Sequence, residues 1–344
     1  MSVDNLWCDR RREEQSDMKI LVTGATGFIG QWLVSELIEQ RKHEIIALVR
    51  KESDVNKLKD KKGLSIIEVD YVNQNLSKNF NNVDVCIHLI GQMGEFGVSE
   101  EKFVDVNVNL TYKILNICEA KGVKQFIFCS TPGVQGFGNR MVKEEQPYAP
   151  RNAYEKTKVM AEKEIIDFCK TSKIKYTIIR PDFVYGPGDM RRVKLYKNIK
   201  NKKFILTTSG KSFLHPTYIT DVTQGFIKSI GNVNAYNEIF NISAGQDVPA
   251  SQYLKAIAEC TESRLIHINI GYRISIIAAT LIEKIYKLFI HRDAFVTKNK
   301  IDFLALDHST SNDKAQELLG YIPQVDIAEG MRRTIEWCRD ERLL

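Results

Sequence analysis

The first half of the chain alternates short apolar runs with longer amphipathic segments. The apolar runs are rich in β-branched residues, as buried strands are, and cover residues 19–23, 44–49, 64–70, 83–90, 124–130 and 175–181. The segments between them repeat apolar positions at helical spacing, most clearly over residues 28–40, 101–121 and 154–171. Strands and helices that alternate in this way form a parallel sheet with helices on both faces. The pattern therefore predicts an α/β fold with a doubly wound parallel sheet.

The regular alternation ends near residue 185. We predict a main domain over residues 18–185 and a smaller C-terminal lobe over residues 186–344, which would enclose a substrate. One apolar run at 237–243 either belongs to that lobe or returns to the main sheet. Residues 1–17 carry charges of both signs and no apolar stretch, so we expect a flexible extension rather than a signal peptide or a membrane anchor.

The most apolar stretch of the chain covers residues 274–290. It includes Glu283, Lys284 and Lys287, which fall on one side of a helical projection. A helix that spans a membrane needs about 20 residues with few charges, so no transmembrane span is predicted. We expect an amphipathic helix packed over the core or a substrate cleft, with peripheral contact to a membrane surface as the alternative.

Composition and charge narrow the choice of partners. The 344 residues are 43% hydrophobic and 27% charged, which is ordinary for a globular protein. The net charge of +6 comes from basic runs without interleaved aromatic residues, so we expect no nucleic-acid binding. Seven widely spaced cysteines without a CxxC pair are typical of reduced thiols and predict a cytoplasmic protein. The six histidines lack metal-ligand spacing, so we expect no metal.

Three glycines follow the first predicted strand at three-residue spacing, in the sequence "TGATGFIG". Gly24 permits a tight turn, Gly27 lets a ligand approach the backbone, and Gly30 lets the next helix pack closely on the sheet. The amide groups and the dipole of that helix then form a site for a pyrophosphate. This arrangement is typical of a Rossmann-type dinucleotide-binding domain.

The end of the second predicted strand bears on the choice of dinucleotide. An acidic residue there commonly binds the ribose 2′-hydroxyl of NAD, whereas an arginine accommodates the 2′-phosphate of NADP. Here the strand ends in Arg50 and Lys51, which favours NADP, and Glu52 is close enough to keep NAD open.

The sequence "YEKTK" places Tyr154 and Lys158 four residues apart at the start of a predicted helix, so both project from one face. A free phenol has a pKa of about 10, and a nearby ammonium stabilises the phenolate and moves that pKa towards neutral. Tyr154 could then exchange a proton with a substrate oxygen. Ser130 and Thr131 follow the fifth predicted strand, where open α/β sheets bind ligands. Strand termination fits Ser130 better, and Thr131 is the better candidate for contact with the reacting oxygen.

The chain resembles an extended short-chain dehydrogenase/reductase of the NAD-dependent epimerase/dehydratase group. The resemblance covers residues 18–340 and is carried, in family order, by "TGATGFIG", "VDY", "IHLIG", "FIFCST", "YEKTK", "RPDFVYGPGD", "HPTYITDV", "FNIS" and "KAQELLGYIP". It implies Thr131, Tyr154 and Lys158 as the catalytic set. It also implies that Asn107 is a polar residue near the site, for which a core hydrogen-bonding role is the alternative, and that the protein forms a homodimer through two helices on one side of the sheet. The candidate cofactor-binding residues are Gly24, Thr26, Gly27, Phe28, Ile29, Gly30, Arg50, Asp70, Tyr71, Leu89, Ile90, Gly91, Tyr154, Lys158, Pro181 and Val184.

The sequence departs from the family pattern at two places. Nucleotide-sugar members usually carry an arginine seven residues before the aspartate that corresponds to Asp221, and here that residue is Leu214. The cations considered as replacements are Lys211, His215 and Lys298. In addition, the usual "HLAA" reads "HLIG", which is expected to put a bulkier Ile90 beside the cofactor.

The leading hypothesis is an NAD(P)-dependent oxidoreductase that transfers a hydride to or from a secondary alcohol or ketone. Leu214 and the apolar segment favour a bulky small-molecule substrate, as in the sterol and flavonol reductases of the family. The first alternative is a nucleotide-sugar epimerase or dehydratase that uses tightly bound NAD. The second is a protein that binds the dinucleotide without turnover.

Overall fold

The computed structural model describes residues 17–59, 61–94, 97–290, 294 and 296–344, without the side chains of residues 287 and 290. The predicted extension 1–17 therefore lies outside the described residues, apart from Asp17. The strands are β1 (Lys19–Thr23), β2 (Glu44–Arg50), β3 (Leu64–Val69), β4 (Val85–His88), β5 (Gln125–Cys129), β6 (Asn139–Val142), β7 (Lys175–Pro181), β8 (Val184–Tyr185), β9 (Ile205–Leu206), β10 (Phe213–Leu214), β11 (Thr217–Tyr218), β12 (Glu238–Ile242), β13 (Val248–Pro249), β14 (Ile266–His267) and β15 (His308–Thr310).

Seven of these strands form the main sheet, in the order β12-β7-β5-β4-β1-β2-β3. Every neighbouring pair in it is parallel. The predicted doubly wound α/β fold is confirmed. Its ligand-binding edge lies where β1 and β4 adjoin, because the chain leaves these two strands in opposite directions across the sheet.

Alternate residues of the strands enter two hydrophobic cores, one on each face of the sheet. In β1, Ile20 and Val22 pack on the face that carries α1, whereas Leu21 packs on the opposite face. Both faces are covered, so the strands appear in the sequence as continuous apolar runs. The helices are α1 (Phe28–Gln40), α2 (Glu100–Val104), α3 (Leu110–Ala120), α4 (Ala153–Thr171), α5 (Met190–Lys200), α6 (Ile219–Ser229), α7 (Ala250–Cys260), α8 (Tyr272–Ile285), α9 (Lys298–Ala305), α10 (Asp313–Leu319) and α11 (Ile327–Asp340).

The predicted helix 101–121 forms as α2 and α3 joined by a π-helical turn at Asp105–Asn109. The predicted helices 28–40 and 154–171 correspond to α1 and α4 within one residue at each end. The run predicted at 83–90 is a strand only over β4, since residues 89 and 90 follow it out of the sheet.

The C-terminal half of the chain does not form a separate body. Strand β12, within the run at 237–243, pairs with β7 at the edge of the main sheet, and α6 packs against α1. The remaining elements build a smaller sheet in the order β13-β10-β15-β6 and two short strand pairs, β8 with β11 and β9 with β14. The smaller sheet also takes in β6, which comes from the first half of the chain.

Helix α8 corrects one expectation of the sequence. Residues 274–290 are helical, continuing through a π-helical turn at Tyr286–Ile290, but most of their described large apolar side chains are more than half exposed. Ile276 and Ile282 are half-buried. The buried residues of α8 are the small Ser275 and Ala279, which face the lobe. Within the described part of the chain, no helix combines the length and the apolar character that a membrane span requires.

Replacing Gly30 with alanine is expected to destabilise the fold. A Cβ atom at this position would lie 2.2 Å from the carbonyl oxygen of Gly24 and 2.8 Å from the Cα of Ala25, and neither backbone atom can rotate away. We expect Gly30→Ala to lower the free energy of unfolding by about 1–3 kcal/mol, measured by urea denaturation. Gly94→Ala is the control, because a Cβ there meets no atom within 4 Å. Equal stability of the two variants would contradict the close approach at Gly30.

Glu36 makes the stability of the α1–α6 packing depend on pH. Its carboxylate accepts a hydrogen bond of 2.7 Å from Thr223 Oγ1, and burial, with Glu39 and Asp221 nearby, raises its pKa from the usual 4.5 to about 7. The folded state therefore holds a proton that the unfolded state releases between these two values. This contribution to stability is complete below pH 4.5 and is lost as the pH rises through about 7.

We expect Glu36→Gln to flatten the pH dependence of thermal unfolding between pH 5 and 8. Glutamine keeps an acceptor for Thr223 and has no proton to lose. Because Glu36 is partly exposed, the gain over the parent protein at pH 8 should be about 1 kcal/mol, with little difference at pH 5. Glu317→Gln, on the exposed face of α10, should leave the slope unchanged. Parallel curves for the parent and Glu36→Gln would show that Glu36 is not the group that titrates.

Candidate active site

A cleft of about 650 Å³ opens at the carboxyl ends of the central strands. One side is formed by the loop between β1 and α1, and the other by the smaller lobe. Of the predicted site residues, those that line the cleft are Gly24, Thr26, Gly27, Phe28, Ile29, Gly30, Leu89, Gly91, Thr131, Tyr154, Lys158, Pro181 and Val184. The structure thus brings most of the predicted site into one cavity.

The glycine loop makes a tight turn under the first turn of α1. Gly24 has a φ of 73°, which favours glycine, and the Gly27 amide donates to the Gly24 carbonyl at 3.0 Å. No side chain caps the start of α1. Amide groups at this end of the helix therefore face the cleft, together with the positive end of the helix dipole. An anionic group can bind here without a charged side chain.

Tyr154, Thr131 and Lys158 line the floor of the cleft, at the end of β5 and the start of α4. Asn152 caps the start of α4 by accepting from the Glu155 amide at 2.9 Å, which fixes the helical turn that carries Tyr154. Burial raises the pKa of the Tyr154 phenol, and the neighbouring Thr131 hydroxyl opposes this rise. Lys158 donates to the carbonyl of Cys129 at 2.8 Å. A hydroxyl, a phenol and an ammonium group are thereby held together at the end of β5.

The electrostatics of Tyr154 differ from the sequence-based expectation. Burial raises the pKa of the Tyr154 phenol, and the cation that opposes this rise is Arg191 rather than Lys158. Burial also lowers the pKa of Lys158, whose ammonium is bound to a backbone carbonyl. In this structure Tyr154 is therefore a protonated phenol at neutral pH. It is poised to donate a proton or a hydrogen bond.

Asn107 lies behind the cleft and does not line it. Its amide nitrogen donates to the Gln92 carbonyl at 3.1 Å and to Thr157 Oγ1 at 3.0 Å, and its oxygen accepts from the Gln92 amide at 2.7 Å. These bonds join the segment after β4 to helix α4. Asn107 thus satisfies buried polar groups and also positions the helix that carries Tyr154.

Four of the predicted cofactor-binding residues lie outside the cleft lining. Arg50 is exposed at the end of β2, and Asp70 is exposed and bonded to the backbone of its own turn. Tyr71 is buried, and its hydroxyl donates to the Leu48 carbonyl at 2.8 Å. Ile90 is half-buried, and its side chain packs against the hydrophobic core, while its backbone lies next to Gly24 of the loop.

In the "HLIG" sequence, Gly91 is the residue next to Lys158. A Cβ at this position would lie 3.3 Å from Lys158 Nζ, which is a tight contact. The glycine therefore leaves room for the lysine ammonium where the usual family sequence has alanine.

Aromatic side chains line the lobe half of the cleft, and of these only Phe183 lies in a segment, Pro181 to Val184, that was expected beside the cofactor. Phe137, Phe183 and Phe303 line this half together with His308. Phe183 packs against Phe303 with ring centroids 4.7 Å apart, and its φ of 31° is a left-handed conformation that side chains rarely adopt. Phe137 and Phe183 lie in loops and Phe303 lies in α9. Their positions follow no regular pattern in the sequence.

His308 is a polar residue in this aromatic half of the cleft. Its Nδ1 lies 3.3 Å from Asp182 Oδ1 without forming a hydrogen bond, whereas Asp182 Oδ2 accepts from Thr310 Oγ1 at 2.9 Å. Burial raises the pKa of Asp182 to about 7 and lowers that of His308 to about 3. At neutral pH the imidazole is uncharged, so it offers a hydrogen bond rather than a positive charge.

The cations among the described lining residues are Lys158, Arg191 and Arg192. The Asp189 carboxylate holds both arginines, Arg191 at 2.9 Å and Arg192 at 3.0 Å. Arg192 also stacks on the Phe183 ring at 4.1 Å, whereas Arg191 is about half exposed and lies 5.9 Å from the Phe28 ring. Arg191 is therefore the cation at the cleft mouth that remains accessible to a ligand. The only sequence signal for it was the "GDMRR" that follows the glycine-rich turn at residue 186.

The residues considered as a replacement for the missing arginine do not supply one. Leu214 is fully buried in β10. His215 is also buried, with Nδ1 bonded to the Thr310 carbonyl and Nε2 to Asp247. Lys211 and Lys298 are exposed and are not among the residues that line the cleft. In the described part of the chain, no group of three or more histidine, cysteine or acidic side chains could hold a metal ion.

Comparison with known proteins agrees with this geometry. A family model described as the NAD dependent epimerase/dehydratase family matches residues 20–243. A 2-alkyl-3-oxoalkanoate reductase of Stenotrophomonas maltophilia is 27% identical, over 92% of this chain and 98% of the relative. A UDP-glucose 4-epimerase of Vibrio cholerae is 26% identical, over 92% of this chain and 94% of the relative.

Among solved structures, the UDP-glucuronic acid 4-epimerase from Bacillus cereus, in complex with UDP-glucuronic acid and NAD, has a similar fold. Its TM-score is 0.77 at 22% sequence identity, with 94% of this chain and 100% of the other covered. The match of the family model over most of the main sheet, with the glycine loop and "YEKTK" facing one cleft, shows that the chain is an enzyme of the NAD-dependent epimerase/dehydratase family.

Proposed function

We propose that the chain interconverts a secondary alcohol and a ketone on a small-molecule substrate, with a nicotinamide dinucleotide bound against the glycine loop. The observation that carries this proposal is the single cleft shared by the loop and by Tyr154. The loop fits a pyrophosphate because Gly24, Gly27 and Gly30 carry no Cβ and the start of α1 has no side-chain cap. A nicotinamide bound there would supply or accept the hydride.

The side chains on the floor of the cleft would handle the proton. Tyr154 is a protonated phenol beside the Thr131 hydroxyl, so it can donate to a carbonyl oxygen that becomes an alcohol. In the opposite direction it would accept the alcohol proton as a phenolate, with Arg191 opposing the cost of burial. Thr131 would orient the substrate oxygen, and Lys158 holds the end of β5 in place.

The comparisons favour nucleotide-sugar epimerisation as the first candidate, ahead of the net reduction that the sequence analysis put first. Sugar-nucleotide 4-epimerases occur both among the curated relatives and among the similar structures. In this reaction the hydride would leave the sugar carbon and return to its other face, so no net oxidation results. Arg191 is the residue with an accessible positive charge for the substrate diphosphate.

A net reductase remains as a second candidate because of the lobe half of the cleft. Leu214 replaces the usual arginine, and Phe137, Phe183 and Phe303 give this half an aromatic surface. Such a surface suits a bulky apolar substrate better than a second diphosphate. The reductase from Stenotrophomonas maltophilia is a relative of this kind.

Two measurements test the proposal. The first identifies the cofactor that the purified protein retains, and the second measures turnover of two panels of substrates. Mass spectrometry of the purified protein identifies any dinucleotide held through purification, as expected for an epimerase. UDP-sugars are then scored for 4-epimers, and bulky ketones for oxidation of reduced cofactor. Tyr154→Phe is expected to lower turnover of any active substrate by about a hundredfold or more, because proton transfer is lost. Met160→Leu, an exposed position on the same helix, should keep full activity.

Each outcome has a clear meaning. Epimer formation without net cofactor turnover supports the first candidate, and stoichiometric cofactor oxidation supports the second. Unchanged turnover in Tyr154→Phe would refute the role of Tyr154 in proton transfer.

For the dinucleotide of the net reductase, we propose NADP; NAD, the cofactor of the similar epimerase complex, is the alternative that goes with the epimerase candidate. The reason is Arg50, whose exposed guanidinium lies at the end of β2 near Tyr71. Arg50→Ala is expected to weaken NADP binding about tenfold and to leave NAD binding unchanged, measured by calorimetric titration. Lys78→Ala, another exposed cation outside the cleft lining, is the matched control. Equal effects of Arg50→Ala on both dinucleotides would remove the basis for NADP.

A further inference from the structure

Helix α8 and the π-helical turn that follows it carry an outward apolar stripe. Its members are each more than half exposed and are Ile274, Ile277, Leu281, Ile285, Leu288 and Phe289. The first five are three or four residues apart, so they form one row along the helix. In a helix that merely completes a protein core, the large apolar side chains face inwards. Here most of them face outwards.

The inner face of the same helix combines small and polar contacts with two half-buried isoleucines, Ile276 and Ile282. Ala279 and Ser275 are buried against the lobe, and Ser275 Oγ donates to Thr207 Oγ1 at 2.9 Å. The Tyr272 hydroxyl donates to Asp302 of α9 at 2.8 Å. These contacts hold the backbone of α8 in place, so the apolar stripe belongs to a helix with a defined orientation.

The charges beside the stripe are mainly basic. Arg273 and Lys284 are exposed, and at 100° per residue they project along one edge of the stripe, next to Ile277. The acidic residue of the helix, Glu283, is half-buried and projects to the side opposite the stripe. Lys298 is also exposed, at the start of the neighbouring α9. A surface that receives this face must accept both apolar side chains and cations.

We propose that α8 and the turn Tyr286–Ile290 dock on the surface of a membrane that contains anionic lipids. The apolar stripe would enter the boundary between headgroups and acyl chains, while Arg273 and Lys284 remain at the level of the phosphates. The helix lies along the surface and does not cross it. A second copy of this chain fits less well, because antiparallel pairing of two α8 helices would bring Arg273 of one against Lys284 of the other.

This proposal is independent of the proposed function, and binding to vesicles tests it directly. The full chain is floated with phosphatidylcholine vesicles that contain phosphatidylglycerol, and with vesicles of phosphatidylcholine alone. We expect flotation with the anionic vesicles, weaker flotation with the neutral ones, and a decrease at high salt. The double variant Ile277→Glu with Leu281→Glu should lower the apparent partition coefficient for anionic vesicles by about tenfold or more.

The matched control introduces two glutamates at exposed apolar positions outside α8. Val72→Glu with Val233→Glu replaces two exposed apolar residues far along the chain from α8 and should float like the parent protein. Thermal unfolding of each variant shows that it is folded, and Leu288→Glu provides a second, single change within the stripe. The proposal is overturned if the parent protein does not float with anionic vesicles, or if the stripe variants float as well as the control. It is also overturned if the stripe instead forms a dimer in solution, dissociated by Ile277→Glu with Leu281→Glu, and the chain does not bind vesicles.

Discussion

The ion pair between Glu162 and Arg180 joins helix α4 to strand β7 behind the cleft, and the position of the helix that carries Tyr154 depends on it. Both side chains are almost completely buried, with Arg180 Nη2 2.6 Å from Glu162 Oε2 and Nε 2.9 Å from Oε1. Ser130 donates to the same carboxylate at 2.5 Å and Tyr148 at 2.9 Å. A buried carboxylate with four donors is satisfied, whereas loss of Arg180 would leave its charge uncompensated. Glu162 lies one helical turn beyond Lys158, so this network sets the position of Lys158 and, one turn earlier, of Tyr154.

The sequence predicted the main sheet well because its strands are buried on both faces and therefore appear as uninterrupted apolar runs. It also predicted the parts of the site that lie at strand ends, such as the glycine loop and Thr131, because topology alone brings these ends to one edge. The lobe half of the cleft was not predictable in this way. Phe137, Phe303 and His308 are far apart in the chain, and only the packing of α9 and β15 across the sheet ends brings them together.

Two further differences have electrostatic and steric causes. The spacing of "YEKTK" places Lys158 on the same helix face as Tyr154, but it does not reveal that the ammonium binds a backbone carbonyl or that Arg191 is the cation acting on the phenol. Likewise, periodicity shows that α8 is amphipathic but not which face is covered. The small side chains of Ser275 and Ala279 allow close packing on the lobe, and this leaves most of the larger residues outside. A hydrophobic stripe in a sequence thus predicts an apolar helix face. It does not show whether the rest of the protein or an external partner covers that face.

The position of β12 has a consequence for the order in which the protein folds. This strand, at residues 238–242, is the outermost member of the main sheet and bonds to β7, although more than fifty residues of lobe separate the two in the chain. During synthesis the edge of β7 is therefore exposed until the ribosome has released a large part of the C-terminal half. An unpaired strand edge invites association with other chains. The nascent protein thus completes its nucleotide-binding sheet late, and the two halves of the sequence mature as one cooperative unit rather than in succession.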